Sequence, residues 1–243
     1  MDDELPVCKS VSSALASEGH TIDMALSAEE ALSKQDESGY DVIITDLMMP
    51  GLSGMDLLRT LSDKAADTKV IMITGYPSIK SAVEAVKLGA FDYIPKPFTP
   101  TELRSLVSRA LESKRYHEKQ KISPPPGIYT VPENSWAAVE ESANVRIGIH
   151  HLFLTAIDEV TSLELPKVGE MRYQGEACVR LTDSRGHVHR VWTPVTGKVT
   201  SVNQQLLDDP TQLMRDPYGS GWVLSVAATD LVSDLKNLVS VST

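Results

Sequence analysis

Cysteine is scarce, with two residues in 243. Cys8 and Cys178 stand far apart with no paired spacing, which argues against a disulfide and reads as two buried thiols of a cytosolic protein. Long apolar runs are missing, so no stretch has the length of a membrane span, and the acidic start Met1-Asp2-Asp3-Glu4 is unlike a signal peptide. Positive charge is also short. Lys and Arg number 23 against 33 Asp and Glu, giving a net charge of −10 and a pI of about 5.1. The two signs are interspersed, and neither half offers the basic face of a DNA-binding module. The expectation is a soluble cytoplasmic protein that binds neither nucleic acid nor membrane. Its length suits one large or two ordinary domains.

The stretch Asp41 to Gly54 organises the first half. Val42 to Thr45 is a short apolar and β-branched run, as in a strand buried on both faces of a parallel sheet, and it leads into Asp46. Open α/β sheets place their ligand sites at this carboxyl edge. Pro50, Gly51 and Gly54 make a tight loop before a helical pattern from Met55 to Leu61. Taken alone, Asp46 is a metal ligand, a nucleophile or a helix cap.

The surrounding elements alternate. A helix carrying Val7, Val11, Ala14 and Leu15 ends at Gly19, and Thr21 to Leu26 reads as a strand. A helix follows at Ala28 to Lys34, then strands at Val42 to Thr45, Lys69 to Thr74 and Phe91 to Pro95. Between them come the Met55–Leu61 helix, a Gly75-Tyr76-Pro77 turn and a helix over Ile79 to Leu88. A last helix runs from Thr99, its N-cap, to Glu118. The class is α/β with a doubly wound parallel sheet. Asp46, Thr74 and Lys96 stand at strand ends that converge on one edge, with Asp2 and Asp3 before the first helix. Carboxylates gathered at one point repel unless a cation joins them, and oxygen ligands suit Mg²⁺. Such a site lets a carboxylate take a phosphoryl group, with Lys96 as a point charge on a phosphate oxygen and Thr74 as a mobile hydroxyl.

These motifs, together with Tyr93-Ile-Pro-Lys96-Pro97-Phe98, resemble the response-regulator receiver domain, and the run from Thr74 to Tyr93 is most similar to receivers of the nitrogen-regulator type. The resemblance implies that Asp46 is the phosphoacceptor and that Asp2, Asp3, Asp46 and the Met48 backbone carbonyl hold Mg²⁺. It makes Thr74 and Tyr93 the switch pair, Lys96 the phosphate contact, and the Lys96–Pro97 bond cis. It further implies a sensor histidine kinase as partner. Receivers of this type often dimerise, which adds a homodimer through the receiver to the expected partners. The family carries an apolar strand ahead of the acidic pair, and here only Met1 precedes it. Losing roughly five buried apolar side chains forfeits about 1.5–3 kcal/mol each, against about 5–15 kcal/mol for a whole domain. A start upstream of Met1 is therefore expected. As written, the chain is expected to leave a gap in the sheet and a mobile Asp2-Asp3, which weakens metal binding and phosphorylation.

Residues 1–120 form this domain in the sequence reading, 121–127 a proline-rich spacer, and 128–243 a second domain. In the second domain short β-type runs recur at Trp136–Val139, Val145–Ile149, Glu159–Leu165, Ala177–Leu181, Val188–Trp192, Gly197–Val202 and Trp222–Ala227. Helical stretches are expected near Leu152–Ile157, Asp209–Met214 and Ala228–Val239. The prediction is a β-rich barrel or sandwich with a C-terminal helix.

The order of Tyr129–Trp136, Ile147-Gly-Ile, Glu164–Gly169, Thr193–Val199 and Asp216–Trp222 resembles the H protein of the glycine cleavage system, a lipoyl-carrier fold. That family carries lipoate on a lysine at a hairpin tip. Here the hairpin reads Thr182 to His189, and the lysine position falls on Arg185 or Gly186. A guanidinium does not replace the amine, so no lipoate is expected. His187 and His189 alternate on one strand face and read as solvent-facing, with no further ligand in view for a transition metal. Leu152, Phe153 and Leu154 are either a partner patch or core. The resulting expectation is not an enzyme. It is a phosphorelay regulator signalling through a protein target of the second domain. The alternatives are a receiver-controlled accessory or carrier in lipoyl metabolism, and a docking unit that never takes phosphate.

Overall fold

In a computed structural model, residues 1–64, 67–75, 79–116 and 124–241 are described. The chain divides into two compact units, Met1–Lys114 and Arg115–Thr243. The expected turn at Tyr76-Pro77, the last two residues of the expected Thr99–Glu118 helix, and residues 121–123 of the expected spacer lie outside the described residues.

The first unit runs α1 (Leu5–Leu15), α2 (Ala28–Ser38), β1 (Val42–Asp46), α3 (Gly54–Asp63), β2 (Lys69–Thr74), α4 (Ile79–Lys87), β3 (Asp92–Pro95) and α5 (Pro100–Tyr116). The strands lie parallel in the order β1-β2-β3, with Asp46 opposite Ile73 and Thr74 opposite Pro95. β2 shows why the sheet is covered on both faces. Val70 and Met72 pack with Ala28, Ala31, Leu57, Leu58 and Leu61. Ile71 and Ile73, one residue out of phase, pack with Leu15, Leu103, Val107 and Ala110. Side chains fix the helix starts. Ser53 and Asp56 form a reciprocal capping box at α3, and Thr99 with Glu102 forms another at α5. Beneath α5 the Arg109 guanidinium is buried in an ion pair with Asp92 and lies over the Phe91 ring at 5.0 Å.

The strand expected at Thr21–Leu26 does not form; the segment joins no ladder. A strand needs a hydrogen-bonded neighbour, and between this segment and β1 lies a cavity of about 600 Å³. Val11, Leu15, Ile22, Val42 and Ile44 line it. Only the top of this gap is closed. Met1 sits alongside β1 as a parallel strand would, its amine donating to the Ile44 carbonyl at 2.7 Å and its carbonyl accepting the Asp46 N–H at 3.0 Å.

The second unit contains β4 (Ile128–Val131), β5 (Ser135–Val139), β6 (Asn144–Ile149), α6 (His151–Thr155), β7 (Val160–Glu164), β8 (Met171–Arg172), β9 (Ala177–Asp183) and β10 (Val188–Trp192). It continues with β11 (Gly197–Val202), α7 (Gln205–Asp208), α8 (Gln212–Arg215), β12 (Trp222–Ala228), α9 (Leu231–Leu235) and β13 (Val239–Ser240). Among the described residues an antiparallel sheet ordered β13-β4-β5-β6-β12-β11-β8 faces a second, β10-β9-β7. One core fills the space between them, with Ile147, Val199 and Leu224 from the first sheet and Leu163, Val179, Leu181 and Val191 from the second. This is the sandwich alternative; neither sheet closes into a barrel. The expected Ala228–Val239 helix shrinks to α9, because Val239 and Ser240 instead pair with Thr130 and Tyr129 on the edge of the larger sheet. Phe153 and Leu154 are core residues. No helix among the described residues is long and apolar enough to cross a membrane.

Candidate functional site

Three of the expected site residues meet at the carboxyl edge of the first sheet. Asp46 ends β1 at 6% exposure. Asp2 is 2% exposed, and the Lys96 ammonium bridges the two, 2.7 Å from Asp46 Oδ1 and 2.7 Å from Asp2 Oδ2. Burial disfavours the charged lysine, yet hydrogen bonds to Asp2 and Asp46 and the charges of both outweigh it and hold the pKa above the ordinary lysine value. The Lys96 N–H donates to the Thr74 carbonyl at 2.7 Å, which places the buried Thr74 beside it, and the Lys96–Pro97 bond is cis.

Asp2, expected to be mobile, is hydrogen-bonded on several sides. Its N–H donates to the Ala25 carbonyl at 3.3 Å, its Oδ1 accepts the Glu4 N–H at 3.0 Å, and the Cys8 thiol donates to its carbonyl at 3.3 Å. Asp3 falls on the outside of the same turn and is exposed. Asp46 Oδ2 accepts the Met48 N–H at 2.7 Å, so the Met48 main chain is adjacent while its side chain is 63% exposed. Gly54 makes the loop close: a Cβ there would stand 2.2 Å from the Asp46 carbonyl oxygen. Tyr93 lies apart from this cluster, buried under α4, with its hydroxyl 3.3 Å from Ser81 Oγ. Ser81 was not legible as a partner because a lone serine in a helical pattern carries no signal of its contacts. Asp2 and Asp46 are two buried carboxylates that offer only oxygen donors, chemistry that fits Mg²⁺. Asp2 and Asp46 both meet the Lys96 ammonium at 2.7 Å, and Asp3 is exposed.

In the second unit the β9–β10 hairpin turns through Gly186 at φ +80°. Arg185 is neither free nor an amine: its guanidinium meets the Asp158 carboxylate with two contacts, at 2.7 and 3.0 Å. His189 does not face solvent. It is buried, with Nε2 2.9 Å from Asp183 Oδ2. The sequence reading missed Asp183, although it is only four and six residues from the two histidines.

Residues 1–108 match the family described as response regulator receiver domain, and residues 128–243 match that described as glycine cleavage H-protein. The transcriptional regulatory protein FixJ of Rhizobium meliloti is 42% identical over 112 residues, covering 46% of this chain and 55% of that protein. A probable glycine cleavage system H protein of Pyrococcus abyssi is 33% identical over 113 residues, covering 46% of this chain and 83% of that one. A solved receiver-domain structure from Clostridium thermocellum is 35% identical, covers 48% of this chain and 94% of that chain, and gives a TM-score of 0.46. The chain spans about half the length of the first regulators it matches.

Proposed function

The chain belongs to the response regulator receiver family through residues 1–108 and to the glycine cleavage H-protein family through residues 128–243, and from that premise we propose a phosphorelay regulator without a DNA-binding output. Families of signalling and carrier modules meet here, and neither is a catalytic enzyme family in its own right. A sensor histidine kinase donates a phosphoryl group to Asp46 in the cytoplasm, and the second domain, beyond a spacer at 121–127, passes the signal to a protein target.

The observation that carries this reading is the Lys96 ammonium held between Asp2 and Asp46. Asp46 supplies the attacking oxygen, forming a P–O bond as the kinase imidazole leaves. Lys96 moves its charge onto a phosphoryl oxygen. Asp2, Asp46 and the Met48 carbonyl, with Asp3 at the solvent side, would hold Mg²⁺, which when bound neutralises charge on the phosphoryl oxygens. The Thr74 hydroxyl then turns to the new acceptor. Tyr93, whose hydroxyl meets Ser81 of α4, carries the change to that helix.

Acetyl phosphate with Mg²⁺ and intact-mass analysis test the reading. One phosphoryl group is expected on the native chain and none on Asp46→Asn; an unlabelled native chain rejects it. The same spectrum checks the rival carrier reading, which requires a lipoyl adduct in the second unit. Arg185 paired with Asp158 favours its absence.

A further inference from the structure

A different cluster, in the second unit, has the chemistry of a metal site. Among the described residues, Asp183, His187 and His189 are the three-residue group whose ligand atoms lie within 4.8 Å of one another. The hairpin builds this arrangement. Asp183 Oδ1 accepts the N–H groups of Arg185 at 3.0 Å and His187 at 2.8 Å, which fixes the plane of the carboxylate. Its other oxygen, Oδ2, is turned toward both imidazoles, 2.9 Å from His189 Nε2 and 3.4 Å from His187 Nδ1. The two rings stand edge to face, 6.3 Å apart at 87°, and the Phe153 ring packs edge to face against His189 at 6.3 Å.

Two ligands bound at about 2.0–2.1 Å to a tetrahedral ion lie about 3.3 Å apart. The contacts of Asp183 Oδ2 bracket that value, and all three ligand atoms lie within 4.8 Å of one another. Charge points the same way. Asp183 is 2% exposed. Two guanidiniums of this hairpin face elsewhere, Arg185 to Asp158 and Arg180 to Glu164. A buried carboxylate aimed at two imidazoles is stabilised by a cation placed among them.

We propose that Asp183, His187 and His189 form a Zn²⁺ site beside the turn of this hairpin. Two imidazole nitrogens favour a borderline transition ion over Mg²⁺ or Ca²⁺. Three protein ligands leave a fourth position. His187 is the half-exposed ligand, with 26% of its side chain accessible, so that position opens on its side to water or to a donor from a partner protein. The site would give this hairpin a bound group where the resembling carriers bear a covalent one.

The test uses the full chain stripped with chelator and kept in excess Mg²⁺, so that the carboxylates around Asp46 are occupied. Zn²⁺ is titrated calorimetrically, and Co²⁺ is followed by its visible spectrum. The expected result is one ion per chain, with the intense bands of four-coordinate Co²⁺. His187→Ala should weaken affinity by more than about tenfold while leaving the unfolding midpoint of the metal-free chain in place. His20→Ala, an exposed residue outside the cluster, should bind as the native chain does. On the unaltered chain, Zn²⁺ should shift the imidazole ¹⁵N signals of His187 Nδ1 and His189 Nε2. Uptake that does not saturate at one equivalent, full affinity in His187→Ala, or unmoved imidazole signals would each overturn the site.

Discussion

Lys96 Nζ lies 2.7 Å from Asp46 Oδ1, a cation held against a carboxylate from a different strand end. With Asp2 at the same distance, one ammonium serves two acidic groups. Removing it leaves two buried carboxylates facing each other. Lys96→Ala should lower the stability of the metal-free first unit by about 3 kcal/mol, with a smaller loss when Mg²⁺ is present; urea unfolding with and without Mg²⁺ measures both. Equal losses under the two conditions would show that the carboxylates do not share a cation site.

The pH dependence of that bridge has a definite sign. The folded pKa of Lys96 is raised above the ordinary value of 10.5. Its contribution is therefore complete below 10.5 and lost as pH rises through the higher folded value. Between pH 6 and 9 the stability difference between the native chain and Lys96→Ala should stay level. A difference that changes steadily across this interval would mean another titrating group governs the bridge.

Gly54 controls the loop that follows Asp46. Its absent side chain leaves room for the Asp46 carbonyl, which a Cβ would approach to 2.2 Å. Gly54→Ala must displace α3 from the strand end, at a cost of about 1–3 kcal/mol. Labelling by acetyl phosphate should slow more than in a variant of equal stability altered elsewhere. Labelling at the native rate would show that the loop tolerates the shift.

Arg109 and Asp92 form an ion pair with both side chains 1% exposed. Arg109→Ala leaves Asp92 charged and buried beneath α5 and should cost about 3–5 kcal/mol. A loss below 1 kcal/mol in chemical unfolding would mean that water reaches Asp92.

The cavity beside β1 invites a gain rather than a loss. Joining an apolar strand of about five residues upstream of Met1 should fill the slot lined by Val11, Ile22, Val42 and Ile44. It would also replace the Met1 amine, whose pKa is lowered chiefly by burial, with a neutral amide in the same hydrogen bond to Ile44. The unfolding midpoint of this unit should rise by at least about 5 °C. An unchanged midpoint with an unprotected added segment would count against the slot as a strand site.

Much of this architecture was legible because its signals are local. Val42–Asp46 and Lys69–Thr74 are continuous apolar runs, and such runs form strands wherever both faces are covered. Thr21–Leu26 has a similar composition and fails, because pairing depends on a neighbour that local pattern does not report. The strands β4, β8 and β13 are too short to show a period. In the site, Asp46, Lys96 and Asp2 were readable from motif order, whereas the outward position of Asp3 follows from how Asp2 is tied to Ala25 and Glu4. Asp183 escaped because a ligand was sought along one strand face, and the hairpin supplies it from across the turn.

The forked contact between Arg185 and Asp158 also bears on whether this hairpin could carry a group. A carrier's hairpin tip must act as a pivot, free to present its attachment nitrogen first to a ligase and then to distant partners. Here the tip is fastened to the entrance of β7. Arg185→Lys would supply the missing amine yet leave it within reach of the same carboxylate. A swinging arm on this hairpin would therefore need two changes, a new nitrogen and a released tip.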